Sequence, residues 1–323
     1  MAKKRKIVRG RREGVPAIPP RRTCGAMQVH NRLLEQHPQF RIAQAALESA
    51  TRMRLTTAFL AAEPPTIVTI PVVVHVVYNT AAENISPAQI ESQIASLNKD
   101  YSAKNPDKSK TPIVWAGLVS ETRIQFALAR IDPNGNLTNG ITRTKTTKTS
   151  FGDDDTVKSA ASGGATPWPS DKYLNLWVCT LGGGLLGYAQ FPGGPPSTDG
   201  VVILNRAFGT TGTATDPFNL GRTATHEVGH WLNLRHIWGD TEDCTGTDFV
   251  DDTPNQQHPN FGKPTFPHVS CTNGPNGDMF MNYMDYVDDA AMVMFTAGQV
   301  VRMQATFAGP RATLVASAQH LTS

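Results

Sequence analysis

No run of eighteen apolar residues occurs anywhere in the 323-residue chain, so a membrane-spanning helix is excluded. Cysteine is scarce, with 4 in the chain, and the position of each matters more than their number. Aromatic residues make up only 7%, but hydrophobic content of 39% is adequate for a globular core. No apolar stretch follows Met1-Ala2-Lys3-Lys4, so no standard secretory signal is visible. The glycine-rich residues 181–191 lack the Gly-Lys-Ser/Thr ending that a phosphate-binding loop needs. There is no internal repeat. Acidic residues are nearly missing from the beginning: residues 1–60 carry 13 Lys+Arg against 3 Asp+Glu, whereas the remainder holds 17 against 24. A basic segment and an acidic body imply that the segment lies on the body, and that the uncovered body favours cationic peptides and hard cations. The alternative, a disordered basic tail, is the expectation for residues 1–22, and nucleic acid is not an expected partner. The length suits one large domain, residues 63–323, preceded by a smaller segment, residues 1–62.

What the chain does have is His226-Glu227-Val228-Gly229-His230, with His236 six residues further on. Positions i and i+4 of an α-helix share a face, so both imidazoles can reach one metal while Glu227 points toward a water on it. A third neutral imidazole leaves the fourth tetrahedral position open, which distinguishes a catalytic zinc from a closed structural one. His236 reaches the metal only if the helix stops and the chain turns back. Asn is the non-glycine residue that best tolerates the left-handed conformation ending many helices, so Asn233 is the expected turn.

This pattern resembles the His-Glu-x-x-His-x-x-Gly-x-x-His signature of the metzincin metallopeptidases, and residues 223–240 are similar to its pappalysin family, including ulilysin-like members. The glycine of that motif is Asn233 here, at a cost of roughly 1 kcal/mol relative to glycine. A second stretch, Met281-Asn282-Tyr283-Met284-Asp285-Tyr286, resembles the family's Met-turn. The resemblance implies that Met284 floors the imidazoles and that the Tyr286 hydroxyl lies near the metal, where it could steady an oxyanion. Arg22-Thr23-Cys24-Gly25 matches the Arg-x-Cys-Gly of ulilysin-like pro-regions, which implies that Cys24 ligates zinc and holds the enzyme latent. Nearby guanidinium groups are expected to favour its thiolate. Asp288 and Asp289 stand where the family builds the pocket for the residue after the scissile bond, which implies a preference for Arg or Lys there.

Cys244 and Cys271 flank the loop after the zinc helix and look paired; the family's second bridge in this region is replaced by Lys263 and Ala291. Cys179 reads as a small buried hydrophobe. Asp240, Glu242, Asp243, Asp248, Asp251 and Asp252 crowd the same loop, an oxygen density that suits structural calcium or simply a solvated acidic loop.

The expected fold is α+β: a mixed, mostly parallel twisted sheet with a backing helix and a zinc-site helix, then an irregular lower subdomain ending in a helix. Strands are expected at residues 67–78, 124–131, 173–179, 187–191 and 201–204. Ser86 and Pro87 open the backing helix, Thr296 and Gln299 cap the last one, and residues 29–50 form a loosely amphipathic helix of the pro-segment. Residues 134–167 read as a long surface loop. Arg52, Arg54 or residues 61–65 are candidate activation sites. The expected molecule is a monomeric, exported zinc endopeptidase zymogen acting on proteins or peptides, with Glu227 as general base. A zinc amidase and a catalytically silent zinc-bound interaction module are the alternatives.

Overall fold

The computed structural model describes residues 18–57 and 67–321. In chain order the regular elements are α1 (Ala26–Gln36), α2 (Pro38–Thr57), β1 (Val68–Tyr78), α3 (Pro87–Tyr101), the single-turn α4 (Ile113–Ala116), β2 (Ile124–Leu128), β3 (Ile141–Lys145), β4 (Leu174–Cys179), β5 (Gly187–Ala189), β6 (Val201–Leu204), α5 (Arg222–Trp231) and α6 (Ala297–Ala305). The expected boundary between segment and body, and the junction at residues 61–65, lie outside the described residues.

β1 organises the sheet. Its first half pairs with β2 and its second half with β3, both parallel and along one edge, while β4 pairs along the other. β6 follows in parallel, and β5 closes the sheet as an antiparallel edge strand. Residues alternate between two buried faces, as period-two geometry requires. Val72, Val74, Val76, Leu176 and Ile203 share a core with Ile90 and Leu97 of α3 and with Ala224 and Val228 of α5. Val77, Trp177, Cys179 and Val202 face the other way, in a core that includes Val29 and Leu33 of α1 and Phe40 of α2. Fully burying an aliphatic side chain contributes roughly 1.5–3 kcal/mol, so covering this second face favours a docked amino-terminal segment.

The capping expectations hold. The Ser86 hydroxyl accepts from Gln89 N–H at 3.2 Å with Pro87 in the first turn, and Thr296 and Gln299 form a capping box on α6. Three expectations need correction. Residues 134–167 are not all loop: Ile141–Lys145 is a parallel strand whose only strongly apolar residue is Ile141, because it sits half-exposed at the sheet edge. The helix expected over residues 29–50 is two helices, broken at His37, whose φ of −128° and ψ of 92° are the extended geometry that a following proline imposes. Of the apolar residues that the pattern marks in α2, Phe40 and Leu47 are buried as expected, but Ile42 is 63% exposed and Ala45 is exposed; Gln44 and Thr51 complete the buried stripe.

Candidate metal centre and the segment that covers it

α5 carries His226, Glu227 and His230 on one face and stops at Asn233, whose φ of +72° is the left-handed turn expected of it. Leu234 N–H then donates to Gly229 O at 2.9 Å, reversing the chain and delivering His236 to the first two histidines. Each ring is oriented through its Nδ1: His226 to Tyr283 O at 2.7 Å, His230 to Leu234 O at 2.8 Å, and His236 to an Asp240 carboxylate oxygen at 2.5 Å. Because all three partners are acceptors, the protons sit on Nδ1 and the Nε2 lone pairs face inward. His230 Nε2 lies 3.1 Å from both His226 Nε2 and His236 Nε2. Burial disfavours the charged form of His226 and His230 and drives both well below the usual imidazole range, so extra protons are a poor bridge between these lone pairs. A shared dication is a good one, and tetrahedral zinc with Zn–N of about 2.0–2.1 Å requires nitrogens a little over 3 Å apart. The donor set therefore fits zinc.

Cys24 completes the set: its Sγ and the three imidazoles all place a ligand atom within 4.8 Å of one another, and all four residues are buried. Among the described residues no other such group of three or more His, Cys, Asp or Glu occurs. The Cys24 sulfur also lies 3.2 Å from a Glu227 carboxylate oxygen. Burial pushes the Cys24 thiol up, reinforced by the Glu227 charge, and burial pushes Glu227 up to about 8. The expected help from arginine is absent: Arg22 donates to Asp289 Oδ1 at 2.6 Å, Thr223 Oγ1 at 3.0 Å and Val287 O at 3.3 Å, while Arg21 lies over Phe261. Both guanidinium groups are engaged away from the sulfur, so a cation at the cluster is what would favour the thiolate.

The same segment runs along the outer edge of β5. Gly25 N–H donates to Gly187 O at 2.9 Å and Leu186 N–H to Thr23 O at 3.0 Å, a parallel bridge. Gly187 is required there, since a Cβ would lie 2.9 Å from the Glu227 side chain and 2.8 Å from Val202 O. The Tyr286 hydroxyl accepts from Cys24 N–H at 3.3 Å and donates to Cys24 O at 3.4 Å. Its ring stands edge-on to His236 and Trp238, and the Trp238 indole stacks on His236 at 4.3 Å. Met284 packs beneath α5 so closely that a Cβ at Gly229 would lie 2.5 Å from its sulfur.

Asp288 and Asp289 part company. Asp289 is fully buried, accepts from Leu220 N–H and Arg222 N–H at the start of α5, and pairs with Arg22. Asp288 is half-buried and lies within reach of the Arg22 and Lys263 charges, but the side-chain bonds of Arg22 go to Asp289, Thr223 and Val287 instead; the Asp288 backbone N–H donates to Gly262 O. Arg22 also lies over the Phe218 ring at 5.0 Å.

A profile of the peptidase M43 family, described as "Pregnancy-associated plasma protein-A", matches residues 158–308. An "Extracellular metalloprotease" of Pyricularia oryzae is 33% identical over 299 residues, covering 90% of this chain and 89% of that protein. The chain belongs to the pappalysin family. A second extracellular metalloprotease, from Arthroderma otae, is 30% identical over 287 residues and covers 87% of this pappalysin and 88% of its own length. A Tannerella forsythia promirolysin mutant is 48% identical with a TM-score of 0.85, over 94% of this chain and all of that one. Mature mirolysin from the same organism, in complex with a cleaved peptide, is 53% identical with a TM-score of 0.78 over 80% of this chain and all of that one. The pappalysin is thus a zinc metalloendopeptidase with the metzincin fold.

Cys244 and Cys271 are bonded, with Cα atoms 5.9 Å apart, and Cys24 and Cys179 are free and buried. The six acids of the loop after His236 are dispersed: Asp240 orients His236, Asp243 accepts from Thr245, and Asp252 accepts from Thr296 and Gly298 at the start of α6. Asp248 is buried and accepts from the Thr253 hydroxyl and Val250 N–H. The role of Asp240 on His236 escaped sequence reasoning, which counted it only among these acids; four residues of separation outside a helix carry no geometric signal.

Proposed function

We propose that the chain is a latent endopeptidase whose zinc ion is held by His226, His230 and His236, with Cys24 as the ligand that blocks it. The convergence of three Nε2 lone pairs and one sulfur carries this reading. Bound there, zinc supplies a Lewis acid that polarises the peptide carbonyl and acidifies water. Glu227 takes the proton of the attacking water and passes it to the leaving amine. Tyr286, once Cys24 leaves, donates its hydroxyl hydrogen to the oxyanion. Met284 supports the floor beneath α5.

The segment preceding β1 is the part removed on activation. Mature mirolysin covers about a fifth less than the whole of this chain, a share close to residues 1–62, whereas the promirolysin covers most of it. The segment binds β5 in parallel, and we take a substrate to pair with the same edge in the opposite, antiparallel direction. Residue 22 therefore occupies the side that a substrate fills with the residue after its scissile bond. The buried Asp289, Thr223, Val287 O and Phe218 hold an arginine there, which supports a preference for Arg or Lys at that position. Relatives named as extracellular and the Cys244–Cys271 bond support export. Calcium, the cation we assign to the loop after His236, is supported by Asp248, a buried carboxylate whose hydrogen bonds come from the Thr253 hydroxyl and the Val250 amide.

The deciding experiment treats an unstructured protein substrate with the purified chain before and after limited trypsin, alongside Glu227→Ala and a zinc chelator. Cleavage that appears only after processing and vanishes in both controls is expected. Zinc without cleavage under any condition would refute the reading.

A further inference from the structure

Asn233 does more than turn the chain. Its Nδ2 donates to Glu48 Oε1 of α2 at 3.1 Å, and the same carboxylate receives Arg302 of α6 through two hydrogen bonds of 2.7 and 3.0 Å. Arg302 is 1% exposed and also donates to Asn233 O from two nitrogens. Arg235 stands alongside: it and Arg302 lie over the Phe249 ring at 5.1 and 5.7 Å. Burial opposes charge on Glu48, but hydrogen bonds from Arg302 and Asn233 and the charges of Arg302 and Arg235 outweigh it and hold the carboxyl below its usual range. Glycine, which the metzincin motif has at this position, would make the turn more cheaply but could not reach Glu48.

We propose that Asn233 and Arg302 form a carboxylate-binding site whose occupant is Glu48, and that this site latches α2 over the zinc turn separately from Cys24. The proposal rests on the latency reading above for its biological sense, but not for its test. α2 runs on past Glu48 through Arg52 and Arg54, both exposed. A protease cuts there only when the end of the helix opens, and with rapid reclosing the rate follows the open population. The latch therefore governs how readily the segment is cut.

The test uses the full chain carrying Glu227→Gln, so that self-cleavage plays no part, and follows trypsin cleavage after Arg52 and Arg54 by mass spectrometry. Glu48→Gln is expected to speed cleavage about tenfold, the effect of losing one charge-assisted hydrogen-bonded pair. Asn233→Gly is expected to speed it by less, and Glu48→Ala combined with Asn233→Gly to be no faster than Glu48→Ala alone, since both remove the Asn233–Glu48 hydrogen bond. Hydrogen exchange measured on the same samples separates the latch from general destabilisation: protection must fall in α2 and persist in α3. Cleavage within twofold of the parent, independent multiplication of the two effects, or equal loss of protection in α3 would each overturn the proposal. A chain that behaves as expected here but shows no hydrolysis with Glu227 restored would refute the peptidase reading and leave the latch standing.

Discussion

Replacing Arg22 with methionine removes the guanidinium while keeping a long apolar stem against Phe218. In the native chain both members of the Arg22–Asp289 pair are almost wholly buried, at 1% and 0% side-chain exposure. Truncating one partner of such a pair typically costs 3–5 kcal/mol, because the other charge is stranded. Asp289 is not wholly stranded, since Leu220 N–H and Arg222 N–H continue to donate to it at 2.8 and 3.2 Å. The cost therefore falls below that range, to about 2–3 kcal/mol, which corresponds to roughly 30- to 150-fold more time spent with the segment off the metal. Two assays read this on the uncut full chain: hydrolysis of a fluorogenic peptide, and alkylation of the Cys24 thiol, with the buried Cys179 as internal reference. Both are expected to rise by that factor, and Arg22→Lys, which keeps a charge but loses the planar fork, is expected to fall between. Unchanged residual hydrolysis together with unchanged Cys24 alkylation in Arg22→Met would refute the view that the buried pair holds the latch closed.

Three further expectations follow from other parts of the molecule. Glu227→Gln retains the size of the side chain but cannot accept the water's proton; hydrolysis after processing should fall at least about a hundredfold while bound zinc, measured by atomic absorption, stays at one per chain. His75 is buried between Thr142 and Asn175 with its ring stacked on Trp177, and burial depresses it to about 4 from 6.5. The unfolded chain therefore binds a proton first on acidification, so stability present above pH 6.5 is lost as the pH falls toward 4, by up to about 3 kcal/mol. Urea unfolding should show about 2 kcal/mol of that loss between pH 7 and pH 5 in the parent, and less in His75→Gln. Opening the Cys244–Cys271 bond with Ala at both positions should lower stability by about 3 to 4 kcal/mol for a separation of 27 residues, read as a drop in unfolding midpoint without a change in the fold of the sheet.

Much of the centre was legible because its spacing is local. His226 and His230 sit on one helical face, Asn233 is among the few side chains suited to the turn, and the caps at Ser86 and Thr296 use contacts within three residues. β1 was legible as a valine-rich run and β6 as a short apolar one. β3 was not, since Ile141 is its only strong strand signal and Thr142, Arg143, Thr144 and Lys145 read as loop; pairing with β1 supplies what propensity lacks. The break before Pro38 was visible in principle, but the apolar residues on either side masked it. Contacts across the chain were illegible: Arg22 with Asp289 spans 267 positions and Arg302 with Glu48 spans 254. Nothing in a single sequence ties such pairs together, and only the resemblance hinted at the first.

Asp289 holds the first amides of α5 with one oxygen and the incoming arginine with the other. On the pocket preference proposed above, that preference and the seating of the helix carrying His226 both run through a single side chain. An enzyme designer who replaces Asp289 with alanine to admit aliphatic substrates would also leave Leu220 and Arg222 without their acceptor and loosen the helix that carries His226. Asparagine, which keeps one acceptor oxygen while discarding the charge, is the narrower door through which selectivity at this pocket can change without disturbing the metal behind it.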